Sequence, residues 1–288
     1  VASMAYKSLD YGVDVTGGRT YVLKFEQEVP DTQPLKDALA SVFLDNAGNK
    51  QEPEVKSHGS SYQFQITTNY MMDSEITGSE ADSTVRAALM TGTEAIGNPF
   101  TVESSSKVGA TIADDIQTAA IWSVLFSLAI IFLYILFRFK HWQYGLGALV
   151  AMFHDVLIVL SIFSIFHGIL PFSMEIDQAF IAAILTVVGY SINDTVVVFD
   201  RIREYLGIYK RKEYNEVVNS ALNSTLSRTI NTSLSTFFVL LMIFLFGGAV
   251  IKGFVFALMV GVIVGTYSSL CVATPIVLDF NRKKAVDK

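Results

Sequence analysis

Asp194 stands in the apolar run 178–199, where it is the only charged residue. A run of that length can cross a bilayer, which takes roughly 20 apolar residues. An ionisable group inside such a span is costly to keep there, so it has a partner and a use. Asp194 lies six residues before Asp200, at the inner edge of the run. That places it about 9 Å into the hydrocarbon at 1.5 Å per residue. Arg228 opens the next apolar run, with Thr232 and Ser235 at i+4 and i+7. Ser191 shares the face of Asp194. Two polar helix faces at similar depth can meet, and Asp194 and Arg228 would then neutralise each other.

The chemistry this pattern offers is a protonation switch. A charged Asp194 attracts Arg228, and a protonated one releases it, so the helices can repack. The alternative is a static ion pair that fixes helix register. Sodium in place of a proton would require further oxygen ligands, for which Asn193 and Thr232 are the candidates. Asp155, beside His154 and about 11 residues into its own span, is a second candidate on the same grounds. Its alternative is a hydrogen bond to a neighbouring helix.

The elements that must hold these residues are apolar throughout. Of the 288 residues, 51% are hydrophobic and 17% charged, a composition for membrane rather than water. Spans are expected over 119–137, 144–168, 178–199, 229–248 and 253–278. Residues 247, 248 and 253 are glycines, which supply the turn between the last two. Between the third and fourth, 213–227 has an apolar stripe on a charged helix, as expected for a helix lying on the membrane surface. Gly261 and Gly265 form a small-xxx-small pair for helix packing. Twelve Lys/Arg fall in one set of connections (around 138–140, 201–228 and 282–288) and one, Lys252, in the other. The bias puts the first set in the cytoplasm.

Residues 6–117 differ in kind. They hold 17 acidic and 8 basic side chains, against 10 and 13 over 118–288. This reads as an acidic extracytoplasmic head on a membrane base, and not as a nucleic-acid binder. Strands over 19–25, 51–57, 61–68 and 100–104 and helices over 34–43 and 82–95, capped by Ser79 or Asp82, give the order β-α-β-β-α-β. That is the split, ferredoxin-like α+β pattern. GVDVTGG, residues 12–18, has the glycine spacing of a phosphate loop, but Gly18 occupies the lysine position. Without that ammonium it is a turn into a strand. His58 sits alone in a polar loop, and Glu175 and Asp177 fall in an outer loop as solvated residues. The head carries no catalytic or metal-binding pattern, so no enzyme, metal or cofactor is expected. The single cysteine, Cys271, excludes an internal disulfide. VASMA, residues 1–5, reads as the end of a truncated first membrane helix, or as a frayed terminus. With it the base would have six crossings.

Several long motifs carry a resemblance. VGYSINDTVVVFDRIRE (188–204), LSRTINTSLSTF (226–237) and GTYSSLCVATPIV (265–277) are similar to signature stretches of the SecF members of the SecD/SecF family. GVDVTGG and RFKHWQYGLGALVAMFHDV fit the same family, and the resemblance covers essentially the whole chain. The family belongs to the resistance-nodulation-division superfamily. The resemblance implies an RND-like six-helix bundle in the bacterial cytoplasmic membrane, with SecD, the SecYEG translocon and translocating preproteins as partners. It implies export assisted by proton or sodium flow, without a cofactor, and Asp194 and Arg228 resemble the aspartate and arginine tied to that coupling. The truncated start resembles the second half of a fused SecDF, or a trimmed separate SecF. The rival functions are a small-molecule or lipid exporter of the same superfamily and a passive scaffold. An exporter needs larger outer domains and about twice as many crossings.

Overall fold

The computed structural model describes residues 9–286, apart from 30, 45–49, 59 and 72–78, with side chains described to residue 280 except that of Ser79. Residues 1–5 lie outside the described residues. Gly12 opens one helical turn, α1 (Val13–Thr16), closed by Gly17 at φ 83°, a conformation that favours glycine. At Gly18 a Cβ would stand 2.7 Å from the Thr68 carbonyl oxygen, so the stretch is a tight turn against a neighbouring strand.

Strand β1 (Gly18–Phe25) buries Tyr21, Leu23 and Phe25 on one face, as its alternation requires. Helix α2 (Gln33–Ala40), strands β2 (Glu54–Ser57) and β3 (Gln63–Thr68), helix α3 (Ser79–Glu94) and strand β4 (Phe100–Val108) follow. The sheet order is β2-β3-β1-β4, all antiparallel, which is the split pattern expected. Leu35 and Leu39 of α2 and Val85 and Leu89 of α3 close the core over β1 and β3 with Phe43 and Phe64. Each such side chain contributes about 1.5–3 kcal/mol on burial. β4 runs four residues past the expected end at Ser104, because β1 offers pairing as far as Gly18 opposite Val108. The serines 104–106 have no strand pattern of their own, and tertiary pairing decides their state.

Five helices are long and apolar enough to cross a membrane. They are α4 (Ala110–Phe139), α5 (Trp142–Phe166), α6 (Gln178–Ile208), α7 (Tyr214–Phe246), and α8 (Ala249–Ser268), which continues through a π-helical turn (Ser269–Ala273) into α9 (Thr274–Val286). The separate surface helix expected over 213–227 is not formed. It is the first part of α7, since no Gly or Pro interrupts 214–246. At about 50 Å, α7 is longer than a bilayer core. Its Val218 and Ala221 pack with Phe139, Tyr144, Phe199 and Ile202 instead of lying on lipid. The turn before α8 uses Gly247 and Gly248 alone. Gly253 lies inside α8, where a Cβ would stand 2.6 Å from the Ser173 carbonyl oxygen.

The connection between α5 and α6 joins head to bundle. The Ile176 N–H donates to the Asp10 carbonyl at 2.8 Å, and the Gly12 N–H to the Ile176 carbonyl at 3.1 Å. Alternate residues of edge strand β2, Glu54 and Lys56, face this connection. Lys56 Nζ meets Glu175 Oε2 at 2.8 Å, and both side chains are nearly buried, at 11% and 13% exposure. Asp177 caps α6, accepting from the Phe180 N–H at 2.7 Å. The solvated placing of Glu175 and Asp177 is thereby corrected: the head covers them. Asp10 Oδ2 lies 3.5 Å from His167 Nδ1. Burial pushes the carboxyls of Asp10, Glu54 and Asp177 above the usual range, and nearby Glu175 adds to each. Burial works against the Lys56 ammonium, but Glu175, Glu54 and Asp177 hold its pKa above the ordinary lysine value.

Carboxyls raised by docking bind protons more readily docked than undocked. Their contribution is fully present below the ordinary carboxylate value, about 4, and is lost as pH rises through the raised docked values. Lys56→Met leaves Glu175 without its partner, at a cost of about 3–5 kcal/mol for a buried pair, less for residual solvent. It should expose the amides of β2 and of residues 173–177 to hydrogen exchange at pH 7. Protection should partly return near pH 5, after correction for intrinsic exchange. Unchanged protection in the variant would count against the joint.

Candidate functional site

Helix α6 buries Val187, Val188, Ser191, Asp194, Thr195 and Val198, a single face at helical spacing. That face meets α8 at two glycines. A Cβ on Gly261 would collide with the Val187 side chain, and one on Gly265 would come to 3.1 Å from Ser191 Cβ. The glycines therefore let α8 lie against α6 at the depth of the carboxylates. Next along the chain, the π-helical turn follows Ser268 directly. A π turn inserts one residue and re-aims the side chains beside it. Helix α5 lies close over the same turn, since a Cβ on Gly147 would stand 2.7 Å from the Ala273 carbonyl oxygen.

Two buried carboxylates result, with different surroundings. Asp155 of α5 is fully buried and accepts from Ser191 Oγ at 2.6 Å and Ser268 Oγ at 2.8 Å; His154 Nδ1 lies 3.0 Å from its other oxygen. It thus ties α5 to α6 and α8. Asp194, 3% exposed, accepts from Ser233 Oγ of α7 at 3.3 Å, and Thr266 Oγ1 of α8 donates to Ser233 at 2.6 Å. Asp155 is held by three contacts of 3.0 Å or less, whereas Asp194 is met by two hydroxyls, Ser233 at 3.3 Å and Thr266. Among those residues, no group of three or more His, Cys, Asp or Glu gathers as a metal site.

The expected partner of Asp194 is elsewhere. Arg228 is exposed, and among the described residues no ion pair joins it to Asp194, although its charge acts on that carboxyl through space. Thr232 is exposed and bonds the Arg228 carbonyl of its own helix at 2.9 Å. Asn193 is exposed, about 100° round α6 from Asp194. The reason is the rotation of α7. It carries two polar faces, Arg228-Thr232-Ser235 and Thr225-Thr229-Ser233, one residue apart. The structure turns the second inward and leaves the first, with Asn231, exposed. Ser233, Thr266 and Ser268 escape sequence reasoning for this reason. Hydroxyls occur on both faces, and only the glycine pair of α8 hints at which side closes.

The fold and these residues define a multi-pass helical membrane protein with paired buried carboxylates in its bundle and a small split-sheet head. The chain belongs to the SecD/SecF family: residues 88–283 match the pattern "Protein export membrane protein SecD/SecF, C-terminal". It is 43% identical over 290 aligned positions to the protein translocase subunit SecF of Rhodothermus marinus, covering 99% of this chain and 88% of that one. It is 34% identical to the fused SecDF of Brucella abortus, over 98% of this chain and 35% of the relative. Among solved structures it resembles SecDF from Thermus thermophilus, described as a translocon-associated membrane protein, at TM-score 0.77 and 33% identity. The match covers 98% of this chain and 36% of that one, so the chain spans about a third of the fused relatives' length.

If the glycines set the depth at which α6 and α8 meet, Gly261→Ala should destabilise the bundle by about 1–3 kcal/mol, the usual cost of overpacking. Val187→Ala in the same chain should restore much of that loss. Thermal unfolding in lipid nanodiscs reads both, and a double variant no better than Gly261→Ala would contradict the close-approach account.

Proposed function

We propose that the chain acts in protein export as a SecF-type subunit that couples proton or sodium flow to late preprotein movement at SecYEG. It does so without enzymatic chemistry or a cofactor. The observation that carries this reading is Asp194: a carboxyl 3% exposed inside a candidate span, met among the described residues by the Ser233 and Thr266 hydroxyls and by no ion pair. A carboxyl with hydroxyl partners alone suits one that gains and loses a proton, whereas Asp155, with His154 and two serines at 3.0 Å or less, suits a fixed tie between helices. With Arg228 at its edge, the bundle offers two states. Protonated, Asp194 rests on Ser233. Ionised, it draws the Arg228 guanidinium toward it and shifts α7 against α6. Each charge crossing the membrane supplies about 2.3 kcal/mol per 100 mV.

The exposed polar stripe of α7 supports a SecD half as partner. Arg228, Asn231, Thr232 and Ser235 are costly against lipid and need a polar protein face. The lysine and arginine bias supports a cytoplasmic-membrane protein with the head outside and the Arg228 end of the bundle inside. A passive scaffold accounts less well for a buried carboxyl in the span, and a small-molecule exporter for so small a head and so few crossings.

Asp194→Asn in the assembled SecD–SecF system should leave assembly intact and reduce gradient-dependent export to the level seen without a gradient. Arg228→Met should do the same if the two residues act together. Normal export by the asparagine variant leaves the scaffold reading, and lost assembly makes Asp194 structural. The comparison is made by preprotein translocation into inverted vesicles with the gradient present or collapsed.

A further inference from the structure

Among the described residues, one buried hydroxyl in the bundle has no hydrogen-bond partner. Thr229 Oγ1 of α7 is unpaired, and its residue is 2% exposed. A threonine inside a helix normally donates to the carbonyl four residues back, as Thr225, Thr232 and Thr236 do on the same helix. Thr229 has turned its hydroxyl elsewhere, and an unmade buried hydrogen bond costs about 1–3 kcal/mol. Its position is between two features already described. One turn further along α7 is Ser233, which donates to Asp194. One turn back is Thr225, which lines a cavity of about 440 Å³ between α6 and α7 with Asp200, Glu204, Ser224 and Arg228. Thr225, Thr229 and Ser233 are all buried, on one face of α7. Successive members of this ladder are about 6 Å apart along the axis, a gap that one bridging water spans.

We propose that Thr229 is the middle step of a hydroxyl ladder by which Asp194 exchanges its proton with the cavity at the Arg228 end of the bundle. The step is a proton transfer and nothing more. The carboxylic acid of Asp194 gives its proton to water held by the Thr229 and Ser233 hydroxyls. That water passes one of its own protons on past Thr225 to water in the cavity. Asp194 is left as carboxylate, and the cavity water as hydronium beside Asp200 and Glu204. Thr229 is a proton-path residue and does not bond Asp194 itself. The inference rests on the ion-coupling reading of Asp194 and adds the route on one side of it.

The test is hydrogen–deuterium exchange of the Asp194 carboxylic acid, followed as its C=O infrared band in the full-length SecD–SecF complex in lipid nanodiscs. The band is identified by its loss in Asp194→Asn. Thr229→Val keeps the shape and removes the hydroxyl. It should slow the exchange at least about tenfold, the effect of one lost hydrogen bond on a barrier, while Thr229→Ser stays near the parent rate. Thermal stability of Thr229→Val should stay near the parent's, because no hydrogen bond within the chain is lost. Thr225→Val should slow the exchange in the same direction, which keeps the test open if Thr229→Val folds poorly. Parent-like exchange in both valine variants overturns the ladder and leaves the reading of Asp194 standing. Equal slowing by Thr229→Ser and Thr229→Val assigns the effect to packing and also overturns it. Absence of any band lost in Asp194→Asn overturns both the ladder and the ion-coupling reading.

Discussion

A carboxylate removed from water must find donors or give up its charge, and this constraint organises the bundle. Asp155 finds donors on α6 and α8, with His154 beside it, while Asp194 finds Ser233 at 3.3 Å. Ser268 and Thr266 reach these sets because α8 lies close against α6, an approach that residues 261 and 265 allow by carrying no Cβ. The glycine pair reads at first as generic packing, yet it sets the position of Ser268 and Thr266. The π turn that follows adjusts the same residues. Packing and chemistry are therefore one feature here: a methyl group at Gly265 would press on the serine that bonds Asp155.

Much of this was legible in the residues. The apolar runs located five spanning helices, and the alternation of Tyr21-Leu23-Phe25 located the central strand of the head. The sheet order followed from the β-α-β-β-α-β succession, since the split pattern leaves few ways to pair four strands. Asp155 and Asp194 were identifiable because a charge in an apolar run needs no alignment to stand out.

What the sequence withheld has a physical reason in each case. Periodicity gives the faces of α7 but not its rotation, and two hydroxyl-bearing faces sit side by side. The inward face is the one with Thr229 and Ser233, so Arg228 points to the cavity and not to Asp194. The break expected near residue 228 rested on a change from amphipathic to apolar pattern. A helix ends at a change in backbone chemistry, and none occurs between Tyr214 and Phe246. Glu175 and Asp177 looked solvated because a short polar loop gives no sign that a folded head will sit on it. There the nearly buried Lys56 faces several carboxyls, so the joint and the bundle meet the same problem with different partners.

The central claim is that Asp194 changes its protonation state as the protein works. Proton flux through the complete SecD–SecF complex in proteoliposomes, recorded while a preprotein is being moved under an imposed membrane potential, tests it most directly. The account predicts a flux that accompanies movement and disappears in Asp194→Asn, with the complex still assembled. Flux of parent size in that variant would contradict it.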